Sequence, residues 1–313
     1  MVVEPTNSSL PHNRSLAFFN ELGDFSQRFD ESIHLWSTAL LNDDGIIHPI
    51  EPNSEITSAK IISKEDGIVV GKEIVDRICN FWAPDLDLKW NHVDGNKILS
   101  GAVLVEIDGD KNQLLKMERP ILNILGRLSG IGTTANNWTN QSQIPIASTR
   151  KTTWGLLDKW AVHMGGALTH RLDRNDALML KENDLAAQFS DFTSIERVKF
   201  ALENINIKQA GAFVIIEVRN YEEAVMAAKT WEKLQNNKSL TIMLDNISVE
   251  DCDRIIISIS DLNLTCKIYF EASGGISLEN LKDWKDSLVD VISTSAIHRG
   301  TRPLDMSLLF EEV

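Results

Sequence analysis

Residues 212–246 read AFVIIEVRNYEEAVMAAKTWEKLQNNKSLTIMLDN. The apolar, β-branched run Phe213 to Ile216 is too short for a helix and reads as a buried strand. Asn220 is a residue type that starts helices, and Tyr221 to Glu232 behind it alternates apolar and charged positions at helical spacing. A second apolar run, Leu240 to Leu244, follows. Strand, capped helix and strand in one direction argue for a parallel sheet.

The same rhythm extends both ways from this unit. Further apolar runs occur at Ile144 to Ala147, Ala177 to Leu180, Lys267 to Phe270 and Val289 to Ile292. Ser248 with Asp251 resembles a capping box ahead of Ile255 to Ile257, and Ser277 precedes a helix candidate from Leu278 to Trp284. Upstream, Leu122, Leu125, Leu128 and Ile131 recur at helical spacing within Glu118 to Trp138. That spacing predicts one long buried helix, with Pro120 in its first turn and an end near Gly130 and Gly132. Ile33 to Ile107 is a mixed α and β pattern in which Asp94-Gly95-Asn96 and Asp108-Gly109-Asp110 read as tight turns. Residues up to about Phe18 read as a loose polar start.

Composition bounds the function. The chain has 313 residues, with 45 Asp plus Glu against 31 Lys plus Arg, a net charge of −14. Such an acidic chain is a poor partner for nucleic acid or an anionic membrane. The three cysteines, Cys79, Cys252 and Cys266, form no CxxC pair, which fits a reducing, cytoplasmic setting. Met1 to Ala17 has no apolar core, so no signal peptide is expected, and no apolar run approaches the roughly 20 residues of a membrane span. GxGxxG, P-loop, GxSxG and HExxH patterns are absent.

The polar residues of the second half gather at strand ends. Arg150 and Lys151 follow the first run, Lys181 the second, Glu217 the third and Asp245 the fourth. Glu271, Ser273, Gly274 and Gly275 follow the fifth, and Ser293 and Ser295 the sixth. In a barrel of alternating strands and helices these ends converge on one face, where active sites are built. Arg150, Lys151 and Lys181, with His170 and Arg171 nearby, make a basic set suited to carboxylates or phosphates. Glu217 and Asp245 suit Mg²⁺ or, equally, salt bridges to the lysines. The glycines after Ser273 let backbone N–H groups approach a phosphate.

These residues resemble a known family. Thr149-Arg150-Lys151-Thr152-Thr153, His170-Arg171, Asp176, Lys181 and Asn183 look like the core of quinolinate phosphoribosyltransferase, also called nicotinate-nucleotide pyrophosphorylase (carboxylating). Glu118-Arg119, Leu128-Ser129-Gly130-Ile131, Met243-Leu244-Asp245-Asn246, Glu271-Ala272-Ser273-Gly274-Gly275-Ile276 and Asp290-Val291-Ile292-Ser293 extend the likeness in order. The resemblance implies an α/β fold, an incomplete (β/α) barrel with an N-terminal α/β sandwich domain. It implies a flexible segment at 1–17, the sandwich at 18–130 and 297–313, and the barrel at 131–296. It further implies that quinolinate and phosphoribosyl pyrophosphate give nicotinate mononucleotide, pyrophosphate and CO₂ in NAD biosynthesis, with Mg²⁺ held near Glu217 and Asp245. Lys151, Lys181, Glu217 and Asp245 match catalytic positions. Arg119, Thr149, Arg150, His170 and Arg171 match substrate-binding ones. Ser273, Gly274, Gly275, Ser293 and Ser295 match phosphate-binding ones. The active sites would be shared across a homodimer or a higher dimer-based oligomer, with Arg119 reaching into the partner's site.

Some positions depart from the family pattern. Trp154 stands at a usual Pro, Asp173-Arg174-Asn175 at a more apolar stretch, and Ile215 where many members carry a second Glu. Asp184 replaces a usual His and is expected to point at Arg171 or Arg174; Ser295 replaces a usual Gly. Two other readings compete: a related transferase for another heterocyclic acid, against which Lys181 argues, and a barrel that only binds anions, against which intact Glu217 and Asp245 argue.

Overall fold

The computed structural model describes residues 9–235 and 237–310. The first half runs α1 (Gln27–Asp43), β1 (Ile56–Ser63), β2 (Gly67–Ile68), α2 (Lys72–Trp82), β3 (Leu86–Trp90), β4 (Lys97–Ile98), β5 (Val103–Asp110) and α3 (Lys111–Gln141). The second runs β6 (Ile146–Ser148), α4 (Leu156–Met164), β7 (Leu178–Leu180), α5 (Glu182–Gln188), α6 (Ser194–Glu203), β8 (Val214–Val218), α7 (Tyr221–Leu234), β9 (Leu240–Asp245), α8 (Val249–Ser260), β10 (Ile268–Ser273), β11 (Val291–Thr294) and β12 (Met306–Phe310).

Strands β6 to β11 form one parallel sheet in the order β6-β11-β10-β9-β8-β7, a curled half-barrel. Each strand overlaps one of the six apolar runs read from sequence. Side chains alternate across it with period two. One set, including Ile216, Ile242, Leu244, Phe270, Ala272 and Ile292, belongs to the main core. The other set forms two smaller clusters, one with Phe213, Ile215 and Met243 and one with Ala147 and Val291. Register pairs Asp245 with Ser273 and Glu271 with both Met243 and Val291. Glu217, Asp245, Ser273 and Ser293 therefore share the second set's face.

A separate antiparallel sheet, β12-β1-β5-β3, holds the N-terminal half together and takes its edge strand from the chain's C-terminal end. Residues 311–313 lie outside the described residues. Five expectations change here. Asp108-Gly109-Asp110 is not a turn but the end of β5, where Asp110 caps α3 by accepting the Gln113 N–H at 3.0 Å. Pro120 consequently lies inside α3, beyond its first turn. The helix also runs through Gly130 and Gly132 instead of ending there, because neighbours occupy the space of their missing side chains. An added Cβ at Gly130 would lie 2.2 Å from the Arg302 carbonyl oxygen, and one at Gly132 would lie 2.7 Å from Val70. After Ser277, only a 3₁₀ turn forms, Leu281–Trp284.

The fifth change concerns the N-terminal segment. Residues 1–8 lie outside the described residues, but His12, Ser15 and Phe18 are buried. Phe18, Phe25 and Phe29 pack their rings within 5.5 Å, centre to centre, of Trp160 on α4. The polar composition of the segment hides partners that lie far along the chain: Arg14 bonds Thr169, 155 positions away.

The close approach at Gly130 makes a prediction against helix propensity. Ala ordinarily stabilises a helix interior over Gly by about 1 kcal/mol. Here Gly130→Ala should push the segment leading to β12 away and destabilise by about 1–3 kcal/mol. The denaturant midpoint measures this, and a midpoint at or above that of the parent chain would contradict the packing.

Candidate active site

A cavity of about 910 Å³ opens at the carboxyl ends of the half-barrel strands. Thr149, Arg150 and Lys151 enter it after β6, His170 and Arg171 from the turn before β7, and Lys181 after β7. Glu217 and Asp245 reach it from β8 and β9. Ser273 at the end of β10 closes it with Gly274 and Gly275 behind it, and Ser293 within β11 does so with Ser295 just beyond that strand. Of the strand-end and family-matched site residues read from sequence, all line this space but Glu271, which is buried within β10, and Arg119. The Arg119 side chain is 63% exposed and lines a different cavity, beside Asp44 to Glu51.

Charge is distributed unevenly around the cavity. Lys181 Nζ lies 2.8 Å from Glu217 Oε2, so the salt bridge that spacing allowed is formed. Arg150, Lys151 and Arg171 are in no ion pair among the described residues. The Arg171 guanidinium is held instead by the Ala177 carbonyl at 3.1 Å and the Met179 sulfur at 3.3 Å. Burial first, and then Arg150 and Arg174, bring its pKa down to about 10. Beneath these groups lies a cation the sequence reading missed. Lys159 is buried on α4 and donates to the Ser148 and Thr169 carbonyls at 2.6 and 2.5 Å. Burial foremost, then Arg150 and Arg171, push its ammonium well below its ordinary 10.5.

The loop after β6 is fastened from below. Asp158 Oδ2 accepts the N–H groups of Thr153 and Trp154 at 2.7 and 3.1 Å, and Arg127 braces the same carboxylate. Trp154 lies under the Arg127 guanidinium, 4.7 Å from ring centre to charge, a cation–π contact that Pro could not make. At the opposite wall Gly274 has φ +90 and crowds Asn246: an added Cβ would sit 2.4 Å from Asn246 Oδ1. Two consecutive left-handed glycines, Gly274 and Gly275, leave the backbone bare toward the cavity. Asp184 does not point at Arg171 or Arg174. Its carboxylate accepts the Lys181 backbone N–H at 3.3 Å, the ordinary use of an acid in the first turn of a helix.

Two groups offer metal donors. Glu217 and Asp245 present oxygen only, on adjacent strands, with Asp245 bonded to Asn246 Nδ2 at 2.9 Å. A hard cation shared with phosphate oxygens needs one or two such carboxylates, so this pair fits Mg²⁺. The second group, His12, His170 and Glu271, is buried and fits less well. His170 Nδ1 accepts the Arg171 N–H at 2.7 Å, so its proton sits on Nε2, facing Glu271 at 3.1 Å. A metal would have to displace that proton and leave two N–H groups opposed. This is a hydrogen-bonded cluster centred on a carboxylate. Both His170 nitrogens are consumed inside the protein, so it lines the cavity without offering a ring nitrogen to a ligand.

The sequence reading also missed Asn246 and Arg299, which line the cavity. Arg299 follows the last barrel strand and was legible by the same strand-end logic. His12 carried no local signal.

The chain is similar to proteins of known kind. It matches the family described as quinolinate phosphoribosyl transferase, C-terminal domain, over residues 132–309, and the N-terminal domain of the same family over residues 38–129. A probable nicotinate-nucleotide pyrophosphorylase (carboxylating) of Methanothermobacter thermautotrophicus is 30% identical over 257 residues, covering 80% of this chain and 87% of that protein. The chloroplastic enzyme of that name from Arabidopsis thaliana is 31% identical over 257 residues, covering 80% and 73%. The solved nicotinate-nucleotide pyrophosphorylase of Francisella tularensis superposes with a TM-score of 0.73 at 26% identity, covering 90% of this chain and 97% of that one.

Glu271 makes the site's stability depend on pH. Burial pushes its carboxyl up, but His170 and His12 more than offset this and hold it well below its ordinary 4.5. A depressed carboxyl contributes stability above its ordinary value and loses it as pH falls below. Glu271→Gln should therefore be about 2 kcal/mol less stable than the parent at neutral pH, with the gap closing under acid. Urea unfolding at several pH values measures the gap, and a constant gap would refute the assignment.

Proposed function

We propose a reaction for this site from one fixed premise: the chain belongs to the quinolinate phosphoribosyltransferase family. The protein joins quinolinate to phosphoribosyl pyrophosphate and releases nicotinate mononucleotide, pyrophosphate and CO₂, a step of NAD biosynthesis. The observation that supports this reading most is the trio Arg150, Lys151 and Arg171. Three cations in no ion pair among the described residues, gathered in one cavity of an acidic protein, suit a small ligand with two carboxylates. A cavity of about 910 Å³ also has room for a second, phosphorylated substrate.

The chemistry asks the protein for position and charge. The pyridine nitrogen attacks C1 of the ribose as pyrophosphate departs, and positive charge builds on the sugar ring. Glu217 and Asp245 face that ring from adjacent strands and favour the cation. They are also the residues that would hold Mg²⁺, which when bound neutralises charge on the leaving pyrophosphate. Backbone N–H groups at Gly274 and Gly275, with Ser273, Ser293 and Ser295, receive phosphate. Arg150, Lys151 and Arg171 hold the pyridine's carboxylates and align the nitrogen. Lys181, steadied by Glu217, offsets the 2-carboxylate until CO₂ leaves; the electron pair left on the ring carbon then takes a proton. Asp184 takes no part, since it serves the first turn of α5.

Arg119 belongs to the site of a second copy. It stands on α3, its side chain is exposed, and it lines no part of its own barrel cavity. We place the protein in the cytoplasm, from its three unpaired cysteines. Among the described residues, no helix is long and apolar enough to cross a membrane.

Quinolinate should be preferred to nicotinate. A site built for two carboxylates leaves cations unpaired when one is missing, a loss on the order of 10³-fold in kcat/KM. Steady-state product assays with both acids test this, and equal turnover would refute it. For Arg119, the Arg119→Ala and Lys181→Ala chains should each be nearly inactive. Mixing them should restore roughly a quarter of parental activity, since half the random pairs are mixed and each mixed pair has one intact site. No recovery, with subunit exchange verified by mass spectrometry, would return Arg119 to its own subunit or remove it from the site.

A further inference from the structure

The turn that carries His170 and Arg171 is gripped by a part of the chain that the reaction does not use. Arg14 donates its backbone N–H to Thr169 Oγ1 at 2.8 Å, and the same hydroxyl donates to the His12 carbonyl at 3.4 Å. The Arg14 guanidinium forks onto Asp176, with Nε and Nη2 at 3.1 and 2.9 Å from Oδ1. Asp176 Oδ2 in turn accepts the Leu172 N–H at 2.9 Å, so Arg14 closes the far end of the turn. His12 Nε2 meets Glu271 Oε2 at 3.1 Å, both side chains fully buried. Glu271 then accepts from His170 Nε2, also at 3.1 Å. The His12 and His170 rings meet edge to face at 5.0 Å.

This turn needs outside support. His170 sits at φ +53, a left-handed conformation that costs a non-glycine residue free energy and persists only where the surroundings impose it. Arg171 next to it faces the positive charges of Arg150 and Arg174 and, among the described residues, has no carboxylate in an ion pair to hold it. Left to itself, the turn would relax toward ordinary backbone and swing the guanidinium toward water.

We propose that the N-terminal segment around His12 and Arg14 is a positioning strap, which holds the His170–Arg171 turn in the geometry that receives a ligand carboxylate. His12 and Arg14 are positioning residues: neither lines the cavity. His12 acts through Glu271 on His170, and Arg14 through Asp176 on the backbone beyond Arg171. The inference rests on the reading of this cavity as a dicarboxylate site, and it adds to that reading a determinant of affinity outside the barrel.

The test uses the full chain and the variants Arg14→Ala, Arg14→Lys, His12→Ala and His12→Gln. Calorimetry with pyridine-2,3-dicarboxylate should show roughly tenfold weaker binding for each alanine variant, the equivalent of one hydrogen bond to a charged group. His12→Gln keeps an N–H donor toward Glu271, and Arg14→Lys keeps the charge toward Asp176. Both should recover most of the affinity. KM for phosphoribosyl pyrophosphate should stay within about twofold, because the glycine wall lies across the cavity. Hydrogen–deuterium exchange should quicken over residues 169–176 in the alanine variants and stay unchanged in β1 and β5. Parental affinity and parental exchange in both alanine variants would overturn the strap. So would a uniform loss of both substrates with a lowered Tm that neither conservative variant repairs. If the parent chain itself fails to bind the dicarboxylate, the substrate reading falls, and the exchange result alone decides the strap.

Discussion

A carboxylate removed from water must find donors or lose its charge. Glu271 meets that requirement in the middle of β10, where its side chain points into the half-barrel and has no exposed surface. Two imidazoles answer it, one from the turn before β7 and one from the N-terminal segment. A single buried charge thus joins three stretches of chain that lie far apart in sequence. The turn so joined carries Arg171, one of the unpaired cations of the cavity. Burial, tautomer and turn geometry depend on one another: His170 donates its Nε2–H to Glu271 in a hydrogen bond because its Nδ1 accepts the Arg171 N–H.

The electrostatics of the cavity follow from the same economy. The protein is strongly acidic overall, yet the described wall at Arg150, Lys151 and Arg171 lacks acid partners. Carboxylates that could have neutralised it are engaged elsewhere. Asp158 holds the loop of Thr153 and Trp154 together with Arg127, Asp176 is bound by Arg14, and Asp184 serves a helix start. Cations held close together without acid partners repel one another, and an anionic ligand relieves that repulsion on binding. Glu217 differs in being paired with Lys181, so that one lysine arrives oriented while the other cations wait for ligand.

The half-barrel was legible because its signals are local. A run such as Leu240 to Leu244, or the cap at Ser248, is read within a few residues, since strand period and helix capping act over a turn or two. Strand-end residues could be assigned to one face for the same reason: parallel strands share a direction, so their ends share a side. The misreadings occurred where a local rule met a distant neighbour. Gly130 and Gly132 look like helix stops until Arg302 and Val70 fill the space beside them. Asp108-Gly109-Asp110 looks like a turn, yet Asp110 has the N–H groups of Asn53, Ser54 and Gln113 to hold and so becomes a cap.

The sequence by itself determined the succession of the six barrel strands, the face on which the polar residues gather and, through its motifs, the family. Each follows from residue type and short spacing, which the backbone reads directly. Tertiary structure alone decided which cations stand unpaired, which carboxylates are already committed, and that a polar start of the chain ends buried beside Glu271, 259 positions from His12. Those outcomes turn on distances of about a hydrogen bond between groups far apart in the chain, and no pattern within either segment encodes the other.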